Sequence, residues 1–375
     1  MSYTFINRQG EIINQTDYLD VENFNEGLAL VRSRDNEIYG FINQGGDWAI
    51  QAKYGFARGF NEQRAVIKDL RSGKYGYINY DGEEVLPPMF DYARTYNEGL
   101  AAISMNEKWN FINKQGKLVT EMGYSDCCDF KNGKVVVKYQ GKWGIIDTEG
   151  NWIIRNKYDE LENFEEGLAK ARLGRRIGFI NEREDWVVAP EYNSAESFSN
   201  GLAAVRVNSK WGFINNRGEK VIPIIFDSTA PGFKEGLCFV RLKQNIGVID
   251  VLGNTRIPFV FKAGLLGDCF EYSFKNGLAY ANLNTELGAI NNEGVVIEEK
   301  GIKNKSFKLS VGFIDTSGQI IVPFKYHHCW HFSEGLAPVF SENGVQFVNE
   351  QGEIAISQYF KDAMPFKDGF AIVKI

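Results

Sequence analysis

Histidine and cysteine are scarce in this chain of 375 residues, with three of one and five of the other. Imidazole is the side chain suited to proton transfer near neutral pH, and all three copies crowd into the single segment YHHCWHF (326–332). No acid/base pair stands out among the 48 scattered carboxylates, so an enzyme is not expected and no catalytic or cofactor-binding residue is assigned. An odd number of cysteines, missing from most of the chain, makes no disulfide framework. No run approaches the ~18 apolar residues of a membrane span. The opening MSYTFINRQG has neither a basic n-region nor an apolar h-region, so a cytoplasmic location is expected, with export by another route still compatible. Positive charge is in deficit as well. The formal net charge of −6 gives nucleic acid or an anionic membrane nothing to bind against.

What the chain has instead is glycine, aromatics and repetition. WGFINNRG (211–218) returns as GFIDTSG (312–318). Anchored on the Ile or Val of that block, copies stand at Ile6, Ile42, Ile78, Ile112, Ile146, Ile180, Ile214, Ile249, Ile290, Ile314 and Val348. Most steps are 34–36 residues, whereas those on either side of Ile290 are 41 and 24. A second phrase, Phe-x-x-Gly-Leu-Ala, keeps the same register, as at Phe24/Gly27, Phe198/Gly201 and Phe366/Gly369. Such a period identifies a repeat architecture whose core grows in one dimension.

Within a unit, GLAAVRV (201–207) alternates as a strand, NSK turns, and WGFIN (211–215) returns as the second strand of a hairpin. Glycine follows the anchor by four residues in every copy except the one with Glu184, as a turn position needing positive φ requires. EKVIPIIF then reads as a third strand with Pro223 tolerated near its end. A glycine two before the anchor, as at Gly40, Gly76, Gly144, Gly178, Gly212, Gly247, Gly288 and Gly312, implies close approach by another group. An aromatic of the adjacent unit is the expected visitor.

These tandem copies, with LysTrpGly intact at 142–144 and 210–212, resemble the WG-repeat (KWG-repeat) family of bacteria. The resemblance covers essentially the whole chain. It implies an all-β repeat scaffold presumed to mediate interactions, without common catalytic residues.

The fold expected is therefore all-β: one domain, 1–375, of about eleven ~34-residue, mainly three-stranded antiparallel units stacked as propeller-like blades. A truncated, soft repeat is expected at about 291–311. The chain starts with a unit's second strand (SYTFIN) and ends with a first strand (GFAIVKI), halves that a closed propeller ring would join. Eleven blades exceed what rings usually hold, so an open superhelix with unpaired end strands is expected.

Four features bear on sites. His327, His328 and His331, with Cys329, have the donor types of a zinc or copper site, but the same slot elsewhere reads YNSAESF and YDELENF, and no metal is assigned. Arg172, Arg175 and Arg176 cluster at a hairpin tip that could grip an anion bidentately. Cys127 and Cys128 are adjacent in a connection and lack CxxC spacing. Trp109, Trp143, Trp211, Tyr39 and Tyr75 would form a sugar-stacking ladder if they faced solvent. Their replacement by Ile177, Ile246, Leu287, Val311 and Val345 points to core instead. The function expected is a non-enzymatic scaffold for a protein or peptide partner, with a carbohydrate- or cell-envelope-binding module as the alternative.

Overall fold

The computed structural model describes residues 3–13, 18–120, 123–262, 273–284 and 309–375. These contain strands and turns and no helix, forming an all-β tandem array. They group into two compact units. One comprises Met1–Asn163, Glu182–Glu184 and Phe366–Ile375, and the other Phe164–Asn181 and Asp185–Pro365. Each unit is a succession of antiparallel sheets, mostly of three or four strands and one per repeat, with one seven-stranded sheet that joins two repeats.

Residues 194–226 show the plan. Leu202–Val207 and Lys210–Asn215 form the hairpin, and Lys220–Phe226 pairs with its second strand. A two-residue strand, Ser194–Ala195, lies inside what the sequence offered only as a connection and pairs with the hairpin's first strand. The turn after the hairpin is built by Asn215. Its Oδ1 accepts the amides of Arg217 and Glu219, each at 3.0 Å, satisfying two donors that the ladder cannot reach. The chain then passes through Gly218 at φ +82°. Glu184 holds the same left-handed position at φ +67°, at roughly 1 kcal/mol for a residue with a Cβ.

The strand-interior glycines have a different visitor from the one expected. Trp211 pairs with Phe226 and Phe213 with Ile222, so three residues bulge opposite Gly212 alone. A Cβ on Gly212 would lie 2.7 Å from Ile222 O and 2.7 Å from Ile224 Cα. The close neighbour is thus the backbone of the unit's own third strand, not an adjacent unit's aromatic. Pro223 sits in that bulge, where no ladder donor is needed.

The aromatics pack one repeat on the next by another route. The ring before the anchor meets the ring of the following Phe-x-x-Gly phrase: Phe41–Phe60 at 4.9 Å, Phe111–Phe130 at 5.0 Å, Phe213–Phe233 at 5.0 Å and Phe313–Phe332 at 4.6 Å. Polar staples accompany them. The lysine of the LysTrpGly phrase pairs with an aspartate 17 residues on, Lys210 with Asp227 and Lys142 with Asp159. Asp227 also accepts the Lys243 amide of the next hairpin tip at 2.6 Å. In the same way Asp91 takes Lys74 and the Asn106 amide.

The ends of the chain correct one expectation attached to the open superhelix, that its end strands are unpaired. Tyr3–Asn7 pairs along its whole length with Phe370–Lys374, from Tyr3↔Lys374 to Asn7↔Phe370, the pairing that the closed alternative requires. Phe370 and Phe5 both pack on Phe24, at 4.9 and 4.8 Å. The two termini thus assemble one repeat. The count that argued otherwise also shifts. Leu278–Asn284 forms its hairpin with Leu309–Asp315, so the described residues make nine hairpins, and the paired end strands stand in the place of a tenth. The Ile290 copy, with nearly all of the truncated repeat expected at 291–311, lies outside the described residues.

Three outcomes follow. Gly212→Val should lower the melting temperature by the equivalent of ~1–3 kcal/mol of overpacking. Gly201→Ala, at φ +78° with no atom within 4 Å of its Cβ, should cost only the left-handed backbone, roughly 1 kcal/mol. Equal melting temperatures for the parent and Gly212→Val would contradict the bulge account. A second outcome concerns acid. The hydrogen bond from Lys74 and the Asn106 amide hold Asp91 below its ordinary pKa, and Lys210, then the Lys243 amide, do the same for Asp227. Their stabilisation is complete above the ordinary carboxylate pKa of about 4 and is lost as pH falls through the lowered folded values. The melting-temperature gap between the parent and an Asp91→Asn/Asp227→Asn variant should accordingly be widest near neutrality and close in acid; a pH-independent gap would refute it. Thirdly, removing residues 369–375 should lower amide-exchange protection within Tyr3–Ile6, whereas the Asn7 amide donates to Glu11 O at 3.0 Å; protection unchanged across Tyr3–Ile6 would show that this strand does not depend on its C-terminal partner.

Candidate binding surface

One row of cross-strand neighbours recurs across the sheets. In residues 194–226 it runs Ser194, Arg206, Trp211, Phe226. In others it runs Asp126, Lys138, Trp143, Tyr158, or Phe56, Lys68, Tyr75, Phe90. The second member is commonly a cation, and it lies over the ring of the third. Arg206 is 5.5 Å from the Trp211 centroid, Lys138 5.5 Å from Trp143, Lys68 5.3 Å from Tyr75 and Arg32 5.8 Å from Tyr39. Lys374 covers Tyr3 in the same way at 5.3 Å, across the two chain ends. Where Ser104 replaces the cation, Arg94 reaches Trp109 from the connection at 4.7 Å. Each such contact contributes roughly 0.5–1 kcal/mol at an exposed site.

This geometry revises the core assignment of the rings. Trp211 is 6% exposed, but Tyr39, Tyr75, Trp109 and Trp143 are half-buried, with a cation on one face. The row was legible in hindsight: a basic residue near the end of a hairpin's first strand faces the Trp or Tyr that opens the second. Sequence reasoning weighed the rings and passed over their partners.

In the first unit the rows touch. Tyr39, Phe56, Tyr75, Tyr92 and Trp109 form an unbroken chain of rings with centroid separations of 5.9, 6.1, 5.0 and 5.7 Å. Arg58 lies 5.8 Å over Phe56 and donates from Nη2 to Tyr92 Oη at 2.8 Å. The rings are tilted or edge-on to one another and make a continuous stripe, not a flat platform.

The other candidates disperse. Arg172 is a row cation facing Ile177 on its strand. Arg175 and Arg176 are exposed at the hairpin tip, and Arg176 donates to Glu191 O at 3.2 Å. His327, His328 and His331 are exposed while Cys329 is buried. His328 meets Trp330 and Phe340 edge-on at 5.1 and 5.2 Å, and burial, then Lys275, lowers the pKa of His331. Among the described residues no three His, Cys, Asp or Glu side chains are grouped to hold a metal ion. Cys127 is buried and its thiol is pushed up to about 12 by burial, so it is not a thiolate at neutral pH. Its exposed neighbour Cys128 is a free thiol.

Comparison with known proteins agrees with this repeat plan. A solved structure described as a eukaryotic initiation factor is 11% identical, with a TM-score of 0.50, over 85% of this chain and 94% of that one; the likeness is one of fold. A streptogramin B lyase is 13% identical, TM-score 0.31, over 75% of this chain and 95% of its own. Kluyveromyces lactis Hsv2 is 10% identical, TM-score 0.34, over 72% and 93%. No curated protein matches in sequence. The WG containing repeat matches nine stretches: 3–36, 39–69, 75–109, 111–143, 143–175, 177–211, 211–245, 312–344 and 347–375. On those nine matches, which take in most of its length, the chain belongs to the WG containing repeat family.

Proposed function

We propose that this protein is a non-enzymatic interaction scaffold, working in the bacterial cytoplasm, whose repeats present a protein or peptide partner with variable side chains on a constant core. The observation that supports this is the two-residue strand that opens most of the sheets. Its second residue is small and buried: Ala57, Ala93, Cys127, Ala195, Cys329 and Ala363 are all 3% exposed or less. The residue just before each of these changes freely in character, as Phe56, Tyr92, Asp126, Ser194, His328 and Asp362. A position that varies beside one that does not is what a repeat array needs to alter its surface without altering its packing. The alternative, a carbohydrate- or cell-envelope-binding module, draws on the chain of rings from Tyr39 to Trp109. It is the weaker reading because cations already cover faces that a sugar would stack on.

The test is co-purification of the tagged full chain from its native lysate, set against a Phe56→Ser/Tyr92→Ser/His328→Ser variant that melts at the parent's temperature. The scaffold reading expects at least one protein to be retained by the parent and lost from the variant. Retention of no protein, together with binding on an oligosaccharide array, would transfer the case to the carbohydrate reading.

A further inference from the structure

The rows differ in what stands opposite their cation. Asp20 stands opposite Arg32, which itself pairs with Glu37 at 2.9 Å, and Asp126 stands opposite Lys138, so those rows place a carboxylate on the neighbouring strand. In the next row the same position is Phe56, opposite Lys68. Lys68 is half-buried between Phe56 and Tyr75. Neither Lys68 nor Arg58 makes an ion pair among the described residues. The acid nearest in effect to Arg58 is Glu22, whose carboxylate is engaged by the Gly59 amide at 3.2 Å. Arg58 also keeps a buried Nε–H without a partner. At this place, then, a ring stands where those rows have an acid, Lys68 has no ion-pair partner among the described residues, and Arg58 has only Glu22, already engaged by the Gly59 amide, acting on it.

We infer that the surface formed by Phe56, Arg58, Lys68, Tyr75 and Tyr92 docks an acidic peptide segment of the partner. Its carboxylates take the place that Asp20 and Asp126 hold in the other rows, and its apolar side chains lie along the exposed ring edges. Charge complementarity selects this occupant. A carboxylate can accept from Arg58 and Lys68 together, whereas a neutral sugar would have to displace the cations from the ring faces. Local positive charge on a chain of net charge −6 also concentrates an acidic partner here. The inference rests on the scaffold reading and narrows it to one site and one chemistry.

The experiment measures binding of a fluorescent synthetic peptide of alternating Glu and Tyr to the full chain, beside its Gln/Tyr counterpart. Binding of the Glu peptide should be at least about tenfold tighter, some 1.4 kcal/mol, and should weaken with salt. Lys68→Glu should abolish that preference, and Lys138→Glu, in a row that already has its aspartate, should leave it intact. Far-ultraviolet circular dichroism and melting temperature establish that both variants fold. Absence of binding, equal binding of the two peptides, or equal loss in both variants would overturn the inference. A native partner that is retained by the parent and kept by Lys68→Glu would overturn it too, while leaving the scaffold reading standing.

Discussion

The structure depends on a contact between two rings that belong to successive repeats. Phe213 and Phe233, or Phe111 and Phe130, meet about 5 Å apart and close to edge-on, an arrangement that adds ~0.5–1.5 kcal/mol to the burial of the rings themselves. A single repeat cannot bury its faces, so this contact turns a row of marginal sheets into a core. One of the exceptions supports the point. Val248 stands where a ring is due, and the strand opposite compensates: Phe239, its cross-strand neighbour, stacks on Phe274 at 5.2 Å.

Around the rings the backbone polar groups are satisfied by short-range devices that also cross from one repeat to the next. In many repeats a glutamate precedes the closing glycine and is held at left-handed φ, 52° for Glu26 and 54° for Glu98. Its carboxylate accepts amides of the next repeat's turn: Glu62 and Gln63 on Glu26 at 2.8 and 2.9 Å, Asn132 and Gly133 on Glu98 at 2.6 and 2.7 Å. The turn that would otherwise be a break in the hydrogen-bond network becomes a joint. Gln63 shows how much the joint tolerates, since it keeps the glycine's conformation at φ 65°.

What could be read from the sequence was whatever a fixed local spacing determines. Asn215 and Gly218 announce their turn because the side chain reaches amides only two and four residues ahead. The hairpins follow from alternation around a two-residue turn. What could not be read was register. Gly212 is required by a three-residue bulge on the neighbouring strand, and nothing within its own strand reveals that bulge. The row cations escaped notice for a related reason: Arg206 and Trp211 are separated in sequence and become neighbours only once the hairpin is zipped. The end strands were legible as complementary halves. The repeat count weighed against joining them, although the Ile290 copy does not supply the hairpin partner of Leu278–Asn284.

The strand formed by Tyr3–Asn7 must wait for a partner, Phe370–Lys374, that follows it only after nearly the whole of this sequence. Most of the hairpins can zip while the chain is still being synthesised, since the partner strand lies a few residues away. This one is the opposite extreme of contact order, closed only after a loop of nearly the whole chain, and such pairings form slowly. Until then Tyr3–Asn7 offers an open strand edge next to a bare Phe5 and Phe24, a template for the last strand of any other copy nearby. High expression should therefore favour exchange of that strand between molecules, and a linked dimer built in this way would keep every contact of the monomer while differing only in whose C-terminus completes whose first sheet.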